Sequence, residues 1–126
     1  MNQTETILGN VVAKANHYAV ALNRRTGERH IIKDAELKSY EKSFGTQCKL
    51  YKGRLISRPF ILHADVFYET NSNDLDNSLK TLLDCLQDVK AITNDNLCRE
   101  IHAKKHVDRE RPRVSFRIEE IEPTLF

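Results

Sequence analysis

The chain reads as an α+β domain, a mixed β-sheet with helices packed against it. Three observations predict this. Pro59 introduces a run from Phe60 to Tyr68 in which Phe60, Leu62, Ala64, Val66 and Tyr68 alternate with Ile61, His63, Asp65 and Phe67, the pattern of a strand. Leu75, Leu79, Leu82, Leu83 and Leu86 then recur at the three-and-four spacing of one helical face. Strand-like patterning returns from Leu97 to Ala103 and again at Val114, Phe116 and Ile118. At 126 residues the chain has the size of a single domain, long enough to bury a core.

Taken in order, Ile7, Leu8 and Gly9 with Val11 and Val12 predict a first strand that ends in a loop through Asn16. Tyr18 to Leu22 and Arg29 to Ile32 flank Asn23-Arg24-Arg25-Thr26-Gly27-Glu28, a hairpin pattern whose turn contains glycine. Asp34 is placed as the N-cap of a helix carrying Ala35, Leu37, Tyr40, Glu41 and Phe44, with Gly45 near its end. Lys38, Glu41 and Lys42 form its solvated face. Residues Gln47 to Arg54 are left open between helix and loop. Both faces of the Phe60–Tyr68 run are largely apolar, which predicts a central strand. Glu69 to Asn73 is a polar loop into the leucine-striped helix, expected from about Leu75 to Asp88. Val89 to Asn94 turns without a glycine and brings Asp95 to the start of the next strand. A basic loop through Pro112 precedes the last strand, and Glu119 to Phe126 is expected to be a loosely held tail.

The chemistry concentrates around the leucine-striped helix. Asp74 lies two residues before Asp76, and in an extended lead-in such a pair projects to one side. Converging carboxylates repel, and a hard divalent cation held by their oxygens relieves that repulsion. Magnesium fits: it takes oxygen ligands and is commonly held by a few carboxylates plus a substrate phosphate. With Asp95 brought back as a third carboxylate and Lys80 as a nearby cation, the set suits phosphodiester hydrolysis. The plainer alternative makes Asp74 or Asp76 a helix N-cap, and Asp76, Lys80 and Asp84 two surface ion pairs at four-residue spacing.

Composition narrows the class. A net charge of +2 does not by itself argue for nucleic acid, but its distribution is uneven. Lys14, Arg24, Arg25, Arg29 and Lys33 face only Glu28 in the first basic segment. Between Asp65 and Asp95 the balance reverses, with seven acids against Lys80 and Lys90. Arg99, Lys104, Lys105, Arg109, Arg111 and Arg113 then outnumber Glu100, Asp108 and Glu110. An acidic centre between basic segments suits a metal site within a phosphate-binding surface; a solvated mixed-charge surface is the other reading. Lys14, Arg24, Arg25, Arg29, Lys104, Lys105, Arg109 and Arg111 are candidate phosphate contacts on charge and position alone. Three cysteines with no close pair support neither a disulfide framework nor a zinc ribbon, and the five histidines are scattered. His102 and His106 have zincin-like spacing but lack the accompanying Glu. No signal-peptide pattern and no membrane-length apolar run is present, so a cytosolic protein with no membrane partner is expected.

Asp74-Leu75-Asp76-Asn77 followed by Lys80 and Asp84, and then by Asp95 on a short connection into a strand, resembles the signature of the RusA family of Holliday junction resolvases. The resemblance runs in order along nearly the whole chain. Asn16-His17-Tyr18 is similar to the family's N-terminal Asn/Tyr element, Phe60–Tyr68 to the strand leading into the acidic motif, and Val114–Ile121 to the closing strand. It implies a single RusA-like domain with catalytic Asp74, Asp76, Lys80 and Asp95, of which Asp74, Asp76 and Asp95 bind Mg2+, and it adds Asn16 to the DNA-binding candidates. It further implies a homodimer acting on branched DNA, with no organic cofactor. The chain departs from the family's pattern at Val11-Val12-Ala13-Lys14, where a proline pair is common. It also departs at Glu69–Asn73, where a basic run is common, and at Asn94-Asp95, where two adjacent acids are common. A branched-DNA binder of the same fold that has lost cleavage, and a small interaction domain whose aspartates only cap and solubilise a helix, are the two rival functions.

Overall fold

The computed structural model describes residues 3–13 and 18–122. Strands β1 (Glu5–Leu8), β2 (Tyr18–Leu22) and β3 (Arg29–Lys33) precede helix α1 (Ala35–Gln47), strand β4 (Phe60–Tyr68) and helix α2 (Leu75–Asp88). A 3-10 turn over Asp95–Leu97 leads into β5 (Cys98–Val107), and β6 (Arg113–Glu120) closes the chain. The fold is α+β, as the alternation of patterns predicts. Four strands form a mixed sheet in the order β1-β6-β4-β5, while β2 and β3 form a separate two-stranded sheet among the described residues. β4 is central, antiparallel to β6 and parallel to β5.

A parallel pair needs a crossover, and α2 supplies it, running back along the sheet from the end of β4 to the start of β5. This fixes what lies where. Tyr68 pairs with Val107 at one end of the sheet and Phe60 with Cys98 at the other, so the start of α2 and the end of α2 are on opposite sides of the molecule.

Only one face of β4 is buried. Phe60, Leu62, Ala64, Val66 and Tyr68 are covered by the helices, whereas Ile61, His63, Asp65 and Phe67 stay half-exposed on the other face, so the strand is central, as its two largely apolar faces predict, without being covered twice. The open face instead carries polar and ring contacts: His63 Nε2 to Glu119 at 2.8 Å, His106 Nε2 to Asp65 at 2.8 Å, and the Arg113 guanidinium 3.8 Å over the Phe67 ring. Under α1, Phe44 stacks on Phe116 at 6.0 Å, and Leu37 and Tyr40 complete its buried stripe. Asp34 Oδ1 accepts from Leu37 N at 2.9 Å, the N-cap that its position predicts; the helix runs two residues past Gly45.

Other boundaries shift. The first strand is Glu5–Leu8, and Val11 and Val12 are buried without being strand, because Gly9 takes φ 114 and turns the chain. The open segment after α1 is a loop held by a buried acid: the Glu5 carboxylate accepts from the backbone N–H of Lys49, Leu50 and Tyr51 and from Cys48 Sγ. Burial alone would raise the Glu5 pKa, but these donors outweigh it and hold the carboxyl below its ordinary range, while burial and the Glu5 charge push the Cys48 thiol up to about 12. The glycine-free turn after α2 is made by Lys90 at φ 61. Its backbone joins the loop, with Leu55 N donating to Lys90 O and Ile56 N to Ala91 O, both at 2.9 Å. At the C-terminus β6 extends through Glu120 and Ile121 N donates to Pro59 O, so these residues are held in the sheet and are not loose tail.

Candidate active site

Asp74 is the N-cap residue of α2, yet its side chain makes no capping bond. Among the described residues, Asn77 Nδ2 donates to its Oδ2, at 3.4 Å. The cap is made instead through its backbone, which leaves the carboxylate directed outward. The buried Tyr68 hydroxyl donates to Ser78 Oγ at 2.6 Å, and Ser78 Oγ donates to the Asp74 carbonyl at 3.1 Å. One turn on, buried Thr81 Oγ1 donates to Val12 O at 2.7 Å and ties the N-terminal segment to α2. A recess of about 150 Å³ lies between Asn10–Ala13, Glu36 and Ser72–Asp74.

Burial is the main reason that the Tyr68 phenol has a raised pKa; the Ser78 bond opposes it, and the charges of Asp74 and Asp76 raise it further. Both carboxylates therefore act on the same hydroxyl. Asp76 is exposed in the first turn, where the positive end of the helix dipole favours an anion, and Lys80 is exposed one turn later. Asp84, at the same spacing, is half-buried. Lys105 of β5 reaches under the preceding loop and donates to the carbonyls of Asn71 and Asn73, at 2.9 and 2.6 Å. Arg109 and Arg111 are exposed in the β5–β6 connection at this same end of the sheet.

Asp95 is elsewhere. Its backbone N–H donates to Gln87 Oε1 at 3.0 Å, beside the last turn of α2, and it is exposed. From Asp76 to Gln87 the helix rises about 16 Å, and along β4 from Tyr68 to Phe60 the sheet spans roughly 26 Å. The sequence pattern predicts that the return from α2 into β5 closes a three-aspartate site. It carries Asp95 away from the other two, because a crossover between parallel strands must end where the first strand began. Among the described residues no three His, Cys, Asp or Glu side chains gather as a metal-binding group. One chain by itself thus does not fit a divalent cation held by Asp74, Asp76 and Asp95 together.

The remaining candidates divide. Arg24, Arg25 and Arg29 are exposed at the β2–β3 hairpin, Lys104 is exposed on the open face of the sheet, and Lys105 is engaged with the loop before Asp74. Lys14 and Asn16, with the Asn16-His17 element, lie outside the described residues. Sequence reasoning missed Tyr68, Ser78, Thr81 and Gln87. A signal for two of them was present: Ser78 and Thr81 are polar residues on the buried side of α2, where their hydroxyls need partners. No helix among the described residues is long and apolar enough to cross a membrane.

The family model of endodeoxyribonuclease RusA matches residues 9–119, which takes in both ends of the crossover, the acidic helix start and β6. The chain belongs to the RusA endodeoxyribonuclease family. That family acts on branched DNA junctions. No curated protein matches the chain.

Proposed function

We propose that this protein is a magnesium-dependent endonuclease that resolves Holliday junctions in recombination or repair, and that it works as a homodimer. What supports the reading is the family match over residues 9–119 together with the outward carboxylates of Asp74 and Asp76 at the start of α2. Because Asp95 lies at the other end of the same chain, the third carboxylate comes from a second copy. Asp74 and Asp76 of one copy and Asp95 of the other would hold the cation. Twofold symmetry then makes two such sites, matching the paired scissile strands of a four-way junction. A bound divalent cation supplies charge neutralisation and an activated water at neutral pH.

The chain's own part is positional. The Tyr68–Ser78 relay and Lys105 hold the backbone on either side of Asp74. Lys80, one turn beyond Asp76, offers an ammonium to phosphoryl oxygens. Arg24, Arg25, Arg29, Lys104, Arg109 and Arg111 are phosphate contacts, and Lys14 and Asn16 are proposed with them.

The test is complementation between two inactive variants. Asp76→Asn and Asp95→Asn should each bind a four-way junction and cut nothing in Mg2+. Mixed and allowed to exchange subunits, they form heterodimers with one intact site and one doubly altered site, and single-strand nicking should return without paired cutting. A mixture as inactive as its components would place all three carboxylates in one chain's site and overturn the shared arrangement. Junction binding by the unaltered protein with no nicked product would establish the binding-only rival.

A further inference from the structure

We infer that the ribbon made by the loop after α1 and the turn after α2 is a phosphate-binding surface, on which Arg54, Arg58, Lys49 and Lys90 hold the backbone of a duplex arm of the DNA. The inference rests on the branched-DNA reading above and adds a contact surface at the end of the sheet opposite the start of α2.

The first observation is charge without counter-charge. From Lys49 to Arg58 the chain carries four bases and no acid, and all four are exposed, as is Lys90. Among the described residues, the arginine ion pairs join Arg113 to Asp108 and Arg117 to Glu119, and none takes in Lys49, Arg54, Arg58 or Lys90. Glu120 lines a recess of about 260 Å³ together with Arg54, Ser57 and Arg58, yet it makes no ion pair with either arginine. Like charges gathered on one surface repel, and a polyanion relieves that repulsion.

The second is rigidity. Gly53 N donates to Val89 O at 3.0 Å, Leu55 N to Lys90 O and Ile56 N to Ala91 O at 2.9 Å, and Thr93 N to Ile56 O at 3.0 Å. Ile56, Ala91 and Ile92 are buried and fasten the inner side of this ribbon to the core. Leu55 and Lys90, bonded to each other, both have left-handed backbone, at φ 50 and 61. That conformation is unfavourable for a residue with a side chain and persists only where its surroundings fix it. The bases therefore stand on a set frame. Arg54 is set further, because its Nε donates to Leu50 O at 2.8 Å and its guanidinium lies 4.9 Å over the Tyr51 ring. With the stem held, its outer N–H fork is left for a phosphate. Lys52 stands apart: its Nζ donates to Gly45 O at 2.9 Å in the last turn of α1.

The occupant that fits is duplex backbone. The ribbon's aromatic residue, Tyr51, is 1% exposed, so unpaired bases find nothing there to stack on. What the ribbon presents is cations, which position a duplex by its phosphates without reading its sequence. Leu50 and Leu55 are exposed, but they are single leucines on non-helical backbone and not the continuous apolar face that seats a helix in a membrane surface.

The experiment uses the full chain and a four-way junction, with EDTA present to prevent cutting, and reads affinity across a salt series. Arg58→Gln should make the plot of log affinity against log salt shallower by about 0.9, and Arg54→Gln/Arg58→Gln by about 1.8, with affinity near 0.15 M salt falling about tenfold in the double variant. Lys38→Gln, which removes one charge from the solvated face of α1, should change neither slope nor affinity. Should the double variant lose its fold, Arg58→Gln decides alone. An unchanged slope in the ribbon variants overturns the surface, whether or not affinity falls, and leaves the nuclease reading standing if the parent still cuts in Mg2+. A parent that binds the junction with the expected ribbon dependence but nicks nothing upholds the surface and removes the nuclease reading. Vesicles containing phosphatidylserine are the second probe: variants that lose vesicle binding while keeping the parent's junction affinity and slope overturn the duplex assignment in favour of a membrane surface.

Discussion

At the start of α2 the acidic groups rest on a buried scaffold, whereas at its end the acidic group rests on the surface. Asp74 is held by a relay from the core, Tyr68 to Ser78 to its own carbonyl, with Lys105 fastening the loop before it. Asp95 is held by one exposed amide, Gln87, and by a turn whose backbone leans on the loop after α1. The difference teaches that acidic residues grouped by a sequence pattern need not be neighbours in one chain. The centre proposed above would join a rigid acidic end to one presented on a turn.

The strongest way to break this contrast is at the rigid end. Asp76→Asn should leave the melting temperature nearly unchanged and lower junction cleavage on the order of a hundred- to a thousandfold, read by single-turnover assay. Next in size is the support beneath the presented end. Glu5→Gln removes the charged acceptor of three backbone N–H groups and should lower stability by about 2 kcal/mol in urea unfolding. Because the folded Glu5 pKa lies below its ordinary value, its contribution is present above the ordinary carboxylate range and is lost as the pH falls through the folded value. The parent protein should therefore lose stability on acidification more steeply than Glu5→Gln.

Smaller effects separate positioning from folding. Lys105→Met frees the Asn71 and Asn73 carbonyls, and Gln87→Ala frees Asp95. Each should lower cleavage about tenfold, with restoration at higher Mg2+ if the loss is one of cation affinity. Loss of folding in both would instead erase the contrast between the ends. The smallest expected change is a gain: Lys90→Gly relieves the left-handed backbone of the turn and should stabilise by about 0.5 kcal/mol.

Much of the architecture was legible in the chain. The alternation in β4, the Asp34 cap, the Gly27 hairpin and the limits of α2 all follow from local rules, because periodicity and capping act over a few residues. The rotation of α2 was not. A leucine stripe predicts that Leu75, Leu79 and Leu83 are buried, but Ser78 and Thr81 take the inner side, since each finds a buried partner that only the packed sheet and N-terminal segment provide. The Glu5 cradle likewise joins residues more than forty positions apart.

What the amino-acid order determined by itself is the inventory: which elements form, that two aspartates stand at a helix start with a lysine one turn on, and which family the chain resembles. What only the tertiary structure decided is distance. A parallel pair of strands obliges the connecting helix to run the length of the sheet, so Asp95 is sent to the end opposite Asp74 and Asp76. Spacing along a chain says how many residues intervene, and the direction of a crossover says where they end.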